Sequence, residues 1–178
     1  LEITPEFLET VILAAKAEGY RPVPLSAIPD LLRHGNPADR YCAFTLDDGY
    51  RNNADFAAPV FRKHGVPYSV FICTGFAERS RIAWWETAAD VIEKANEIRS
   101  DFGAGVEEIS TRTMSEKAVA FAMVERMVET IDEDMAVARV EALAIEHGIE
   151  PMDFIRRELL VQRAGELGDE IELGAVAD

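Results

Sequence analysis

Apolar positions along the first 85 residues switch between two spacings. Leu8, Val11, Ile12 and Ala15 recur every three or four residues, the interval of a helix face. Thr4-Pro5 stands before them, with proline where a helix can spare an N–H. Gly19 stands after them, so the two signals bracket a predicted helix. Val23-Pro24-Leu25 reads as extended, and Ser26 as the cap of a short helix carrying Ile28, Leu31 and Leu32. Tyr41-Cys42-Ala43-Phe44-Thr45-Leu46 is then a nearly unbroken apolar run, as expected of a strand covered on both faces in a parallel sheet. Residues 53–64 return to helical spacing. Phe56, Ala57, Val60 and Phe61 are expected to turn inward, Gly65 is the stop, and Pro59 marks a bend or a later start. Tyr68-Ser69-Val70-Phe71-Ile72-Cys73 is a second strand-like run. Strand, helix and strand in this order predict a right-handed, parallel βαβ unit.

The second half keeps almost entirely to helical spacing, over residues 85–95, 115–130, 132–147 and 151–163. Ser115 is the expected cap of one helix, Gly148 the stop of another and Pro151 the start of the last. Gly103 and Gly105 break the pattern, and residues 99–112 are expected to be irregular. Strand character returns only in Glu170-Ile171-Glu172-Leu173-Gly174-Ala175. The organisation expected is thus strand-bearing residues 1–85, a helical insertion over 86–165, and the start of a further strand in 166–178.

Composition and charge sharpen this division. The chain has 178 residues, 48% of them hydrophobic, which suits one folded domain at about 150 residues per domain. No stretch approaches the roughly 18 unbroken apolar residues of a membrane span. Of the net charge of −15, residues 86–178 carry −14, from 23 acidic and 9 basic side chains. The plain reading is a set of solvated helix faces, and such a surface repels phosphate backbones, so no nucleic-acid partner is expected. Cys42 and Cys73 are too few for a disulfide scaffold and sit in apolar strands as small hydrophobes. The chain opens Leu1-Glu2-Ile3 with neither methionine nor a signal-like region, which points to a start that is missing or processed and leaves the compartment open.

The first apolar run ends in Asp47-Asp48-Gly49, where a parallel α/β fold gathers its ligands. Alone, Asp-Asp-Gly is an ordinary turn sequence. Two adjacent carboxylates after a strand can also divide labour, one holding a cation and the other reaching a water. The surrounding residues favour the second use. Tyr41-Cys42-Ala43-Phe44-Thr45-Leu46-Asp47-Asp48-Gly49-Tyr50 resembles the first motif of the polysaccharide deacetylase family, Thr-Phe-Asp-Asp-Gly, with Leu46 in place of the commoner Phe. Gly65-Val66-Pro67-Tyr68-Ser69-Val70-Phe71-Ile72 is similar to that family's second strand. Gly19-Tyr20-Arg21-Pro22-Val23-Pro24-Leu25 is similar to the segment before its catalytic strand.

The resemblance spans roughly residues 4–86 and includes the chitooligosaccharide deacetylase branch. It implies an α/β fold, a distorted (β/α) barrel left incomplete here and carrying the acidic helical insertion. It also implies hydrolysis of acetyl groups on an acetylated sugar polymer or oligomer. By that resemblance Asp47 is the general base and Asp48 a ligand of a divalent metal, most often zinc. Tyr50, Trp84 and Trp85 are candidate sugar contacts, although paired tryptophans at a helix start also serve as core anchors. The family's His-x-x-x-His motif is expected at the third strand, where Gly174-Ala175-Val176-Ala177-Asp178 stands instead. His34, His64 and His147 each precede a glycine and read as helix ends rather than ligands. The chain as it stands is therefore expected to lack activity, and its open strand edges to favour self-association into a homo-oligomer. The alternative is a degenerate family member that binds a glycan or a protein without catalysis.

Overall fold

The computed structural model describes residues 3–103, 105–158 and 171–176, the last as backbone. In chain order the elements begin with α1 (Pro5–Ala17), β1 (Tyr20–Pro22), α2 (Ile28–His34), β2 (Arg40–Cys42), β3 (Phe44–Leu46) and α3 (Ala58–His64). Next come β4 (Tyr68–Cys73), α4 (Thr74–Ala77), α5 (Trp84–Lys94), β5 (Glu97–Asp101) and β6 (Val106–Ser110). The last are α6 (Met114–Thr130), α7 (Glu133–Glu146), α8 (Asp153–Glu158) and β7 (Ile171–Val176). They form two compact units, one from Leu1–Glu78 with Glu158–Asp178, the other Arg79–Arg157.

Parallel pairing organises the first unit. β3, β4 and β7 lie in that order, with Phe44 opposite Tyr68 and Tyr68 opposite Ile171. The β3–α3–β4 crossover is the βαβ unit read from the sequence. Leu8 and Ile12 of α1 and Ala58 and Phe61 of α3 are buried in one cluster with Val66, Tyr68 and Val70. Phe61 stacks on Tyr68 with centroids 4.4 Å apart and meets Phe44 edge-on at 5.5 Å. Thr4 caps α1, its hydroxyl accepting from the Phe7 N–H at 3.2 Å.

Several expectations for this unit need correction. The run from Tyr41 to Leu46 is two strands: β2 pairs with β1, and after Ala43 the chain turns its hydrogen bonds to β4 as β3. The change of partner costs the run its two-sided cover, and Thr45 is exposed. Extended structure upstream falls on Tyr20–Pro22 rather than on 23–25, because Leu25–Ala27 already coil into a 3-10 turn. That turn absorbs Ser26, so Ala27 takes the cap position of α2 without a side-chain hydrogen bond, and Leu32 is exposed.

The helix before β4 is also not uniform. Pro59 offers no N–H to the Asp55 carbonyl, and just ahead of it residues Asn53–Ala57 widen into a π turn in which the Ala58 N–H reaches back to the Asn53 carbonyl. Of the side chains expected to turn inward, Phe61 is buried, whereas Phe56, five residues earlier and so well off that face at helical spacing, is 59% exposed.

In the second unit α5, α6 and α7 bury one apolar cluster that includes Val91, Val124, Met127, Val140 and Leu143. The irregular segment expected over 99–112 is instead an antiparallel hairpin, with Ile98 opposite Ile109 and Asp101 opposite Val106. Its glycines do not interrupt it; they make its turn. Gly103 and Gly105 take φ of 103° and 115°, and both donate N–H groups to Asp101 Oδ1. Ile98 is buried in the helical cluster, which holds the hairpin in place. The cap of α6 is Thr113 rather than Ser115, in a reciprocal capping box with Glu116. Asp132 caps α7. The last expected helix starts at Asp153, and its expected residues 159–163 lie outside the described ones.

The capping box yields a pH-dependent prediction. Hydrogen bonds from Thr113, first its backbone N–H and then its hydroxyl, hold the Glu116 carboxyl below its ordinary range. The unfolded chain therefore binds that proton more readily, so the stabilisation is present above the ordinary carboxylate range and is lost as pH falls through the lowered value. Glu116→Gln is expected to melt at a lower temperature than the parent at neutral pH, with the gap closing on acidification. A gap that persists or widens in acid, in melting curves followed by circular dichroism, would contradict this.

Candidate active site

Asp47, Asp48 and Tyr50 lie together at the carboxyl end of β3. The Gly49 N–H donates to the Asp47 carbonyl at 2.8 Å, closing a three-residue turn about Asp48, whose φ is 65°. Such a γ-turn with positive φ is strained for a residue other than glycine and is held only where its surroundings determine it. Gly49 follows at φ 72°, and a Cβ there would stand 3.2 Å from Ile72 Cγ1 of β4. Glycine is thus required twice over, by conformation and by the neighbouring strand.

The turn separates the two carboxylates in environment. Asp47 is exposed, whereas Asp48 is half-buried. Burial pushes the Asp48 carboxyl up from its usual range, the adjacent Asp47 charge adds to this, and a hydrogen bond from Tyr50 opposes both. One carboxylate thus faces water while the other sits where positive charge would be welcome.

Asn53 belongs to the same arrangement. It is 9% exposed, and its side-chain Nδ2 donates to the Asp47 carbonyl at 3.3 Å. Sequence reasoning passed over it; the signal was a polar side chain at the start of an apolar-periodic helix immediately after the turn.

The other candidate residues lie elsewhere. Trp84 and Trp85 open α5 in the second unit. Trp84 packs against the helical cluster and stacks on Phe121, centroids 6.5 Å apart, and Trp85 meets it edge-on at 5.8 Å. Those contacts give Trp84 the part of a core anchor. His34 and His64 end α2 and α3, and His147 caps α7. His64 is engaged with Glu9 Oε1 at 2.8 Å.

Among the described residues no three His, Cys, Asp or Glu side chains converge on a point where a metal ion could be held. Two adjacent carboxylates fall short of the three protein ligands of a catalytic zinc site, so these residues alone do not fit one. Also among the described residues, no helix is long and apolar enough to cross a membrane.

A parallel βαβ unit with a strained, carboxylate-bearing turn at its strand end defines an α/β protein whose candidate site lies where such sheets gather ligands. The profile of the polysaccharide deacetylase family matches residues 34–139, and the chain belongs to that family, one of hydrolases. The match runs through the Asp47–Asp48 turn and on into α7. Among solved structures, the Streptococcus pyogenes deacetylase PplD in complex with acetate is similar, at 22% identity, with 43% of this chain and 34% of that one covered and a TM-score of 0.39. The chain thus spans about a third of that structure's length. No curated protein matches it.

Proposed function

We propose that the turn at Asp47–Gly49 is the hydrolytic centre of a carbohydrate deacetylase that removes acetyl groups from a polysaccharide or chitooligosaccharide. The observation that supports this most is the pair of unlike carboxylates on one strained turn at the end of β3, within the residues that match the family. In this reading Asp47 takes a proton from a water molecule as its oxygen attacks the acetyl carbonyl. The carbonyl oxygen becomes an oxyanion, the bond from the acetyl carbon to the sugar's nitrogen or oxygen breaks, and acetate leaves. The proton then passes to the departing amine or hydroxyl.

Asp48 is proposed as one ligand of a divalent cation, zinc by family resemblance. Its half-buried position beside a second negative charge suits that use. We also read the parallel β3–β4–β7 order as part of a distorted (β/α) barrel, with Tyr50 at the mouth of its substrate groove.

The test is acetate release from N-acetylated chitooligosaccharides and from O-acetylated polysaccharide, by protein expressed from its complete reading frame. Turnover on either substrate class is the expected result. Absence of acetate from both, with and without added zinc, would remove the proposal.

A further inference from the structure

We infer that Asn53 is a positioning residue for the reaction, holding the Asp47 main chain so that the strained turn keeps the two carboxylates apart. The inference rests on the reading of Asp47 as the base, and its structural half stands on the turn alone.

Three observations converge on this residue. The Asp47 carbonyl accepts two hydrogen bonds, one from the Gly49 N–H at 2.8 Å and one from Asn53 Nδ2 at 3.3 Å. The first alone closes a turn that places Asp48 at φ 65°, a conformation that relaxes unless a neighbour fixes it. The second comes from a side chain that is 9% exposed and attached to the next helical segment, whose first turn is set by the Asn53 N–H bonding the Tyr50 carbonyl at 3.0 Å. The strand end and the helix start are thereby tied through one amide.

The π turn explains why asparagine stands there. Extending α3 backwards with α-helical spacing from the buried Ala58 and Phe61 would bring Ala54 onto the same face, four and seven residues earlier. In the widened turn the Ala58 N–H bonds the carbonyl of Asn53 instead. The place beneath Ala58 therefore belongs to Asn53, a residue able to donate a hydrogen bond, where alanine could not. Pro59, which withholds an N–H from the Asp55 carbonyl, is the local reason that the helix widens at this point. A π turn is costly in an ordinary helix, and such turns recur at functional sites.

The test is Asn53→Asp, which keeps the shape of the side chain and replaces its donor with a second acceptor facing the Asp47 carbonyl. Two readouts are needed. The first is hydrogen exchange of the buried Gly49 amide, whose partner is that carbonyl. It is expected to speed up at least tenfold relative to amides of α1 and β4 in the same protein. The second is steady-state deacetylation, where kcat is expected to fall tenfold or more with KM little changed, because the base is displaced and the sugar contacts are not. Asn53→Gln, which retains a donor on a longer arm, is expected to lie between parent and Asn53→Asp in both readouts, and it serves as the working variant if the aspartate does not fold. Phe56→Ala, on the exposed side of the same π turn, is expected to leave both readouts unchanged. Gly49 exchange that stays at the parent rate in both Asn53 variants overturns the inference. So does a kcat loss in Phe56→Ala equal to that in Asn53→Asp. If the parent protein releases no acetate, the proposed function fails, and Gly49 exchange still decides whether Asn53 holds the turn.

Discussion

Asp47→Asn is expected to lower the rate of acetate release by about 10²–10⁴-fold, the usual contribution of a positioned general base, while leaving the fold and any bound metal in place. Asparagine keeps the size of the side chain and removes only its capacity to take a proton. Because Asp47 is exposed, the change leaves no buried group without a partner. Asp48→Asn is expected to abolish turnover by a different route, with zinc content falling along with activity. Asparagine is the informative choice at this position because it tolerates φ of 65°, whereas alanine there would add a backbone cost of about 1–2 kcal/mol and confuse the result. Stability separates the two losses from unfolding. Burial and the Asp47 charge both disfavour the ionised Asp48 carboxylate, so a neutral amide removes a penalty. In buffer containing a chelator, Asp48→Asn is therefore expected to melt no lower than the parent at neutral pH. Activity, metal content and melting temperature measured on the same preparations decide the roles. Equal loss of metal in both variants would mean that base and ligand are wrongly assigned, and full activity in both would place the chemistry elsewhere.

The parts of this fold that were legible in the sequence are those in which a local signal and the tertiary structure ask for the same thing. The β3–α3–β4 unit is of this kind: its strands are apolar, and Gly65 adopts the left-handed conformation at the helix end that its position suggests. The Asp47-Asp48-Gly49 turn was legible for the same reason. What escaped depended on partners remote in the chain. Nothing local distinguishes Ala43 from its neighbours, yet the pairing changes there, from β1 before it to β4 after it. Gly103 and Gly105 signal a break, and only the pairing of Ile98 with Ile109 turns that break into a hairpin loop. Ser115 and Thr113 are both good caps. The choice between them falls to Glu116, which stands three residues after the threonine and so can complete the box. Asn53 is the most instructive omission, since its role requires a helix that is not α-helical, and helical spacing assumes the opposite.

The unequal burial of Phe61 and Phe56 yields the largest stability contrast expected in this protein. An inward face that included both Phe56 and Phe61 would give similar penalties for truncating either one. In the structure Phe61 is fully buried between α1 and the sheet, stacked on Tyr68 and edge-on to Phe44, whereas Phe56 is 59% exposed. Phe61→Ala removes the largest fully buried side chain of the first unit and leaves a cavity bounded by two aromatic rings and the sheet. Such a change costs about 3–5 kcal/mol, against a total stability of about 5–15 kcal/mol for a domain. Phe56→Ala takes away surface already in contact with water and is expected to fall within about 0.5 kcal/mol of the parent. Urea titrations of both variants, followed by near-ultraviolet circular dichroism, measure the difference directly. Comparable destabilisation by the two substitutions would mean that Phe56 is packed as closely as Phe61, against its 59% exposure.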